Sequence, residues 1–588
     1  MQKFLKYFLA TVLGAVVSFI LFIIIILVVV GSITAKQQKE FVTKKNSVLV
    51  LKLDKEIVDR KPSSPFNLST MRKEEKIGLN DILRSIKKAK EDKNIEGIYL
   101  NLTFIPSGLS NLEEIRNALE DFKESGKFII TYSEYMDQSA YYVASVSDKI
   151  YINPTGIMTF VGLRAQMLFF RGTLDKLGIE PKVLKYGQFK SAGESFVNKK
   201  MSDANREQIH RMIECMWKEV VKDIAKSRNL SEERLNIIAD SILANDPESL
   251  VKTGLVDSLA YETDVLNILM KKVDVEKEDD MHLVKLSDYS KTDPLKDKKS
   301  KKAHKNKIAV IYASGTIISG EGKSDDISSD KMSKTIKKLR KDSTVKAIVL
   351  RVNSPGGSAI ASDVILNELK LTKKDKPVIV SMGNVAASGG YYISCAADTI
   401  LCNPTTITGS IGVIGIFFNT EGFINKLGIT VDVEKTNEFS DLLSGVRPMR
   451  KQEEDMMQHT IDYIYETFIT HVAEGRSLKK ERVDEIGQGR VWTGVDAKEI
   501  GLVDGFGGLS DAIDIAIKKA NVGDKYVIEE YPELKSPIEE FFEGLSGDTK
   551  AKIIKEELGA NADYYLKIQD MVRQQGILAR MPFYIDIY

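Results

Sequence analysis

Histidine and cysteine are scarce in this chain of 588 residues, with five of the first and three of the second. Cys215, Cys395 and Cys402 are odd in number, widely spaced and without a CxxC pair. That argues against a zinc site and a disulfide framework and leaves buried apolar thiols as the simpler reading. Of the histidines, His304 lies in a lysine-rich stretch with His282 beside it, and His210, His459 and His471 fall in helical patterns outside the glycine-rich loops. A Ser-His-Asp triad therefore has no local support. HExxH, P-loop and GxGxxG signatures are missing in any matching context, so neither a metal nor a nucleotide cofactor is expected. Net charge is lacking too: 84 basic and 83 acidic residues leave +1, which gives no global field for nucleic acid.

Long hydrophobic runs are absent with one exception. Tyr7 to Ala35 carry no charge, and Phe19 to Val30 read FILFIIIILVVV, apolar on every helical face. The run exceeds the ~7–15 apolar residues of a cleaved signal peptide, so the expectation is an uncleaved transmembrane helix over about 7–34 within an anchor at 1–45, held in the lipid bilayer. Lys3 and Lys6 flank one side and Lys36, Lys39, Lys44 and Lys45 the other, which leaves the orientation open.

What the chain does contain is a repeat. Ile152-Asn-Pro-Thr-Gly matches Cys402-Asn-Pro-Thr-Thr, Leu174-Asp-Lys-Leu-Gly-Ile matches Ile424-Asn-Lys-Leu-Gly-Ile, and GIYLNL at Gly97 matches AIVLRV at Ala347, each pair 250 residues apart. Ile82, Ile86 and Ala89 fall on Met332, Ile336 and Leu339, one buried helical stripe in each copy. Both copies alternate β-rich runs (Val48 to Leu53, Ile98 to Leu102 and Phe128 to Thr131; Ile308 to Tyr312, Ile348 to Val352 and Val378 to Ser381) with amphipathic helices. The pattern predicts an α/β fold with largely parallel strands, divided into repeats at 46–285 and 307–530. Between them, 286–306 contains KDKKSKKAHKNK, a solvated linker by composition, with a lipid-headgroup patch as the sharper alternative. An extension at 531–588 has no counterpart in the repeat.

The candidate site is read from what each copy has lost. In VIVSMGNVAASGGYYISCAAD, the β-branched run Val378 to Val380 stops in a small-residue loop, and Ser388 precedes Gly389 and Gly390 where a helix-like segment begins at Tyr391. A serine on a strand-turn-helix hinge can present its hydroxyl as a nucleophile, although Ala-Ala-Ser-Gly-Gly taken alone is also simply a tight turn. The first copy has Gln138 at this position, and Thr103-Phe-Ile-Pro-Ser-Gly where the second has Asn353-Ser-Pro-Gly-Gly-Ser. Gly356 or Gly357 would let a backbone N–H approach a reacting carbonyl. Conversely, the first copy carries Lys190 where the second has Ser440. A lysine whose burial lowers its pKa from ~10.4 serves a serine as base, though one lysine among so many cations is otherwise a solvated charge. A composite site needs only one of each, so complementary loss is what distinguishes Ser388 and Lys190.

Ser354-Pro-Gly-Gly, Ala386-Ala-Ser-Gly-Gly-Tyr, Thr408-Gly-Ser-Ile-Gly and Phe189-Lys-Ser-Ala, in this order and with the duplication and the anchor, resemble the long bacterial form of the signal peptide peptidase A family. The resemblance implies two tandem domains of the Clp protease/crotonase fold after one transmembrane helix. It also implies a Ser388/Lys190 dyad, Ser410 orienting the lysine, and Gly389 with Gly356 or Gly357 as oxyanion hole. Cofactors are not implied. The expected activity is degradation of cleaved signal peptides and other extended apolar peptides. A homotetramer in the bacterial inner membrane, with its catalytic domains on the extracytoplasmic side, is likewise implied. A crotonase-like acyl-CoA hydrolase or isomerase, or a noncatalytic membrane scaffold, would be the competing readings. Whether the dyad forms within one chain or between chains is left open, with duplication favouring one chain.

Overall fold

The computed structural model describes residues 41–62, 76–292, 306–322, 326–533 and 576–581, with short stretches within 3–21 and at 66–67, 72–73 and 586–587. The expected membrane helix lies largely outside the described residues. Among those described, no helix is long and apolar enough to cross a membrane.

Each repeat folds as a sheet whose β-branched strands are buried on both faces, which is why they read as continuous apolar runs. In the first sheet the order is Ser258–Leu259, Lys149–Met158, Phe128–Met136, Ile95–Asn101, Ser47–Leu51 and His282–Lys285, all parallel. The second follows the same order with Gly505–Phe506, Thr399–Cys402, Val378–Ala387, Val345–Ser354, Asn306–Ser314 and Tyr526–Tyr531, again parallel. The helices Leu79–Glu91 and Ser329–Lys341 bury Ile82, Ile86 and Ala89, and Met332, Ile336 and Leu339, as the matched stripes predict. All three cysteines are free and buried. One boundary differs from the expectation. Leu286 and Tyr289, assigned to a solvated linker, are buried in the first repeat's core, and the Tyr289 hydroxyl donates to Asp92 at 3.0 Å. The rest of that linker, 293–305, lies outside the described residues.

Two seams lock the repeats together. The helix Leu109–Lys123 of the first repeat lies against the Val378–Ala387 strand, where Ser110 Oγ donates to the Gly383 carbonyl at 3.1 Å and Asn403 Nδ2 to Glu114 Oε1 at 3.2 Å. Beneath it the fully buried Arg351 is paired with Glu114 at 2.7 Å and Asp59 at 2.8 Å, both from the first repeat. Desolvation alone would push the guanidinium pKa down, but these two carboxylates more than offset it and raise it. Removing one partner of such a buried group costs about 3–5 kcal/mol, so the seam depends on all three side chains. The second seam is a strand pair: Glu180–Tyr186 of the first repeat runs antiparallel to Val413–Asn419 of the second. It belongs to a further sheet, ordered Glu180–Tyr186, Val413–Asn419, Gly576–Arg580, Gly356–Ser358, Ile317–Ile318 and Ile327–Ser328.

Candidate active site

The strand expected to stop near Val380 continues to Ala387 and delivers Ser388 directly. Gly383 and Asn384 are poor strand formers, and neighbours impose the extension: Ala386 pairs with Ser354, and Val385 to Ala387 pair with Ile407 to Gly409. Ser388 then turns the chain at φ 55° and ψ −112°. A non-glycine residue there stores about 1–3 kcal/mol. Its N–H donates to the Gly409 carbonyl at 2.8 Å, and its carbonyl accepts from the Tyr392 N–H at 2.7 Å. The helix begins at Gly389, two residues earlier than expected, because Gly390 passes so close to Ser354 that a Cβ would stand 2.7 Å from the Ser354 carbonyl oxygen.

Lys190 comes from the loop that follows the Glu180–Tyr186 strand, so the antiparallel seam carries a first-repeat residue into the second repeat's site. Its Nζ donates to Ser388 Oγ at 2.8 Å, to Ser410 Oγ at 3.0 Å and to the Ser410 carbonyl at 3.2 Å. All three residues are fully buried. Burial pushes the Lys190 amine well below the ordinary lysine range, with no opposing contribution from a carboxylate. The three contacts suit a neutral amine: its two N–H groups serve the two Ser410 oxygens, and its lone pair faces the Ser388 hydroxyl. Gln208 secures the loop, its Nε2 donating to the Phe189 carbonyl at 3.0 Å and its Oε1 accepting from the Val491 N–H at 3.3 Å.

The glycine pair sits on the other side of Ser388. Gly356 has φ 98° and Gly357 φ 153°. A Cβ on Gly357 would stand 2.0 Å from the Ile317 carbonyl oxygen, so no other residue fits. The Gly356 N–H donates to Ser354 Oγ at 3.1 Å and is thereby occupied. This leaves the N–H groups of Gly357 and Gly389 to face an incoming carbonyl.

The counterpart positions carry other work. Gln138, in place of the nucleophile, accepts from the N–H groups of Val161 and Gly162 at 3.0 Å each and closes a loop over the first repeat's hinge. Ser440, in place of Lys190, is exposed in a turn where its Oγ accepts from the Asn437 N–H at 3.3 Å. Three features went unread in the sequence. Gly489 presses on Lys190, Gln208 ties its loop, and the Gly576–Arg580 strand pairs with Gly356–Ser358 beside Ser388. The glycines of Gly487-Gln-Gly-Arg were the available signal for the first. A lone glutamine in a long helix and a short run in a segment without a counterpart gave none.

Comparison with known proteins agrees with this geometry. The profile of peptidase family S49 matches residues 121–276 and 370–523, and that of Clp protease matches residues 299–406. The chain is 36% identical to Protease 4 of Haemophilus influenzae over 76% of its own length and 74% of that protein. It is 35% identical to Protease 4 of Salmonella typhi, covering 86% of this chain and 83% of that one. With the chloroplastic serine protease SPPA of Arabidopsis thaliana it shares 32% identity over 82% of this chain and 70% of that one. These matches support tandem α/β domains of the Clp protease/crotonase type.

Proposed function

Because the chain belongs to peptidase family S49 and is a serine peptidase of the signal peptide peptidase A type, we propose that Ser388 is its nucleophile and Lys190 its general base. The observation that carries this is the 2.8 Å contact between Lys190 Nζ and Ser388 Oγ in a fully buried setting. Neutral Lys190 takes the Ser388 proton as Oγ attacks a peptide carbonyl. The N–H groups of Gly357 and Gly389 receive the oxyanion, and Ser410 holds the amine in line. Lys190 then passes the proton to the departing amine. Water releases the acyl group, and Lys190 assists again as base.

The substrates we infer are extended apolar peptides, cleaved signal peptides among them. Ile414 and Ile416 pack with Phe196 and Phe418 on the strands beside Ser388, a surface that accepts apolar side chains and offers nothing to charged ones. The apolar run Phe19 to Val30 would hold the enzyme in the bacterial inner membrane, where such peptides are released, with the catalytic repeats on the extracytoplasmic side.

We also infer a ring of chains, of which a homotetramer is the simplest form. The repeat offset makes 430–436 the counterpart of the Glu180–Tyr186 strand and 163–169 the counterpart of Val413–Asn419. Ile429, Val431 and Val433 are exposed, and among the described residues 430–436 pairs with no strand. Pairing it with 163–169 of a neighbour would reuse the seam that joins the repeats within one chain. A Val431→Lys, Val433→Lys chain should therefore run as a smaller species than wild type in light scattering.

The testing experiment for the chemistry combines a serine-reactive probe with peptide turnover. Wild type should acquire one adduct on Ser388 and hydrolyse a Leu-rich peptide, and Ser388→Ala should do neither. A folded wild type that takes no adduct and turns over no peptide would overturn the reading in favour of a scaffold. Turnover of acyl-CoA thioesters in place of peptides would favour the crotonase-like alternative.

A further inference from the structure

We propose that the Gly576–Met581 segment is a resident substrate of this site, held with its Ala579–Arg580 bond at Ser388 and cut there. The inference rests on the catalytic reading above and adds to it a self-processing activity at a named bond.

The strand Gly576–Arg580 lies between Gly356–Ser358 and Val413–Asn419 and runs antiparallel to both. An extended peptide that adds to sheet edges binds in this way, through main-chain hydrogen bonds with pockets for its side chains. The register is specific: Gly357 opposes Ala579 and Gly356 opposes Arg580, while Leu578 opposes both Ser358 and Ile414. Antiparallel pairs alternate between bonded and unbonded. The Met581 N–H donates to the Pro355 carbonyl at 2.6 Å, so the pair two positions along, Gly357 with Ala579, is a bonded one, and the Gly357 N–H faces the Ala579 carbonyl oxygen. The same oxygen lies near both glycines beside the nucleophile: a Cβ would stand 2.2 Å from it on Gly356 and 3.1 Å on Gly389. That is the carbonyl an attacking Ser388 would need.

The side chains of the segment are accommodated as a substrate's would be. Ala579 is fully buried, where only a small residue has been admitted. Leu578 packs with Phe196, Ile414, Ile416 and Phe418. On the far side of the bond, Met581 packs with Ile209, Met212 and Met216.

The step balances as a hydrolysis. Ser388 Oγ bonds to the Ala579 carbonyl carbon, and its proton passes through Lys190 to the Arg580 nitrogen as the Ala579–Arg580 bond breaks. One water then splits the ester, restoring the Ser388 hydroxyl and leaving a carboxylate on Ala579. The peptide beginning at Arg580 departs, and the groove opens to other peptides.

The test follows purified full-length protein by intact mass spectrometry while a Leu-rich peptide is supplied. Wild type should convert to a species ending at Ala579 and release a peptide beginning at Arg580, and Ser388→Ala should keep its full mass. The processed enzyme should also cut a synthetic peptide spanning 574–583 between its alanine and arginine. The same peptide with Leu578→Asp should be cut about 10–200-fold more slowly, the cost of one mismatched apolar pocket. Wild type that consumes the Leu-rich peptide but keeps the residues beyond Ala579, or is cut at another bond, would overturn the inference and leave the catalytic reading standing. A chain inert toward both its own segment and the Leu-rich peptide would overturn both.

Discussion

Gly489 presses its α-carbon against Lys190 so closely that a methyl group there would stand 2.6 Å from the lysine Cβ and 2.7 Å from its Cα. Its φ of 77° is also a conformation that side chains rarely adopt. The base is thus held from behind by the absence of a side chain, and from the front by Ser388 and Ser410.

Gly489→Ala should accordingly displace Lys190 from the hydroxyl. A misplacement of about 1 Å at a reacting pair costs about 100-fold in rate, and the strained backbone about 1–3 kcal/mol in stability. The expected result is a folded protein of slightly lower melting temperature with a kcat reduced about 100-fold or more. Peptide turnover at the wild-type rate would show that Lys190 has room to adapt.

The pH dependence follows from the sign of the Lys190 shift. A protonated amine cannot accept the Ser388 proton, and burial holds the folded pKa below the ordinary lysine value. Activity should rise with pH, up to about tenfold per unit while Lys190 titrates, and level off once it is neutral. Ser410→Ala removes one acceptor from the amine, which should lower the plateau by about 10–100-fold, the cost of about 1–3 kcal/mol for an unmade buried hydrogen bond. A kcat profile that falls with pH across the neutral-to-alkaline range, in intact protein, would refute Lys190 as base.

The same shift bears on stability. The unfolded chain keeps Lys190 protonated up to about 10.4, whereas the folded chain has given up that proton at lower pH. Between the folded and unfolded values the unfolded state binds more protons, so stability rises with pH by about 1.36 kcal/mol per unit and flattens above the unfolded value. Lys190→Met lacks this term. The gap between the wild-type and Lys190→Met unfolding midpoints should move in the wild type's favour as pH rises through that window, which denaturant titrations at several pH values would measure. A constant gap would mean that the amine is protonated in the folded protein.

The sequence made Ser388 and Lys190 legible because the duplication supplies its own control: a residue kept in one copy and lost from the other stands out without any second sequence. The sheet order was equally accessible, since buried parallel strands such as VIVSM and AIVLRV are long apolar runs. Gly356–Ser358 was not recognisable as a strand, because glycines have no strand preference and pairing is imposed there by Ile317 and by Gly576–Arg580. The latter was hidden for a related reason. Gly-Ile-Leu-Ala-Arg is too short to announce itself, and its partners are remote in sequence. Arg351 read as a charge at the end of an apolar strand, and nothing local predicted that Asp59 and Glu114 would bury it.

Whether one chain builds its own site is the remaining prediction. Lys190 and Ser388 are 198 residues apart, yet they meet within a single chain because the Glu180–Tyr186 and Val413–Asn419 strands pair in full register. The buried Arg351 seam holds the two repeats in that relation. If neighbouring chains joined through the equivalent strands at 430–436 and 163–169, that joint would bring Ser440 to Gln138, which have neither a base nor a nucleophile to offer. A mixed assembly should therefore gain nothing from complementation. Co-expressed Ser388→Ala and Lys190→Ala chains, purified as hetero-oligomers by two tags, should be as inactive toward peptides as either parent, because every Ser388 is paired with the Lys190 position of its own chain. Recovered turnover in the mixed oligomer, with neither parent active alone, would mean that Lys190 reaches across to a neighbour and that the intrachain contact is not the working one.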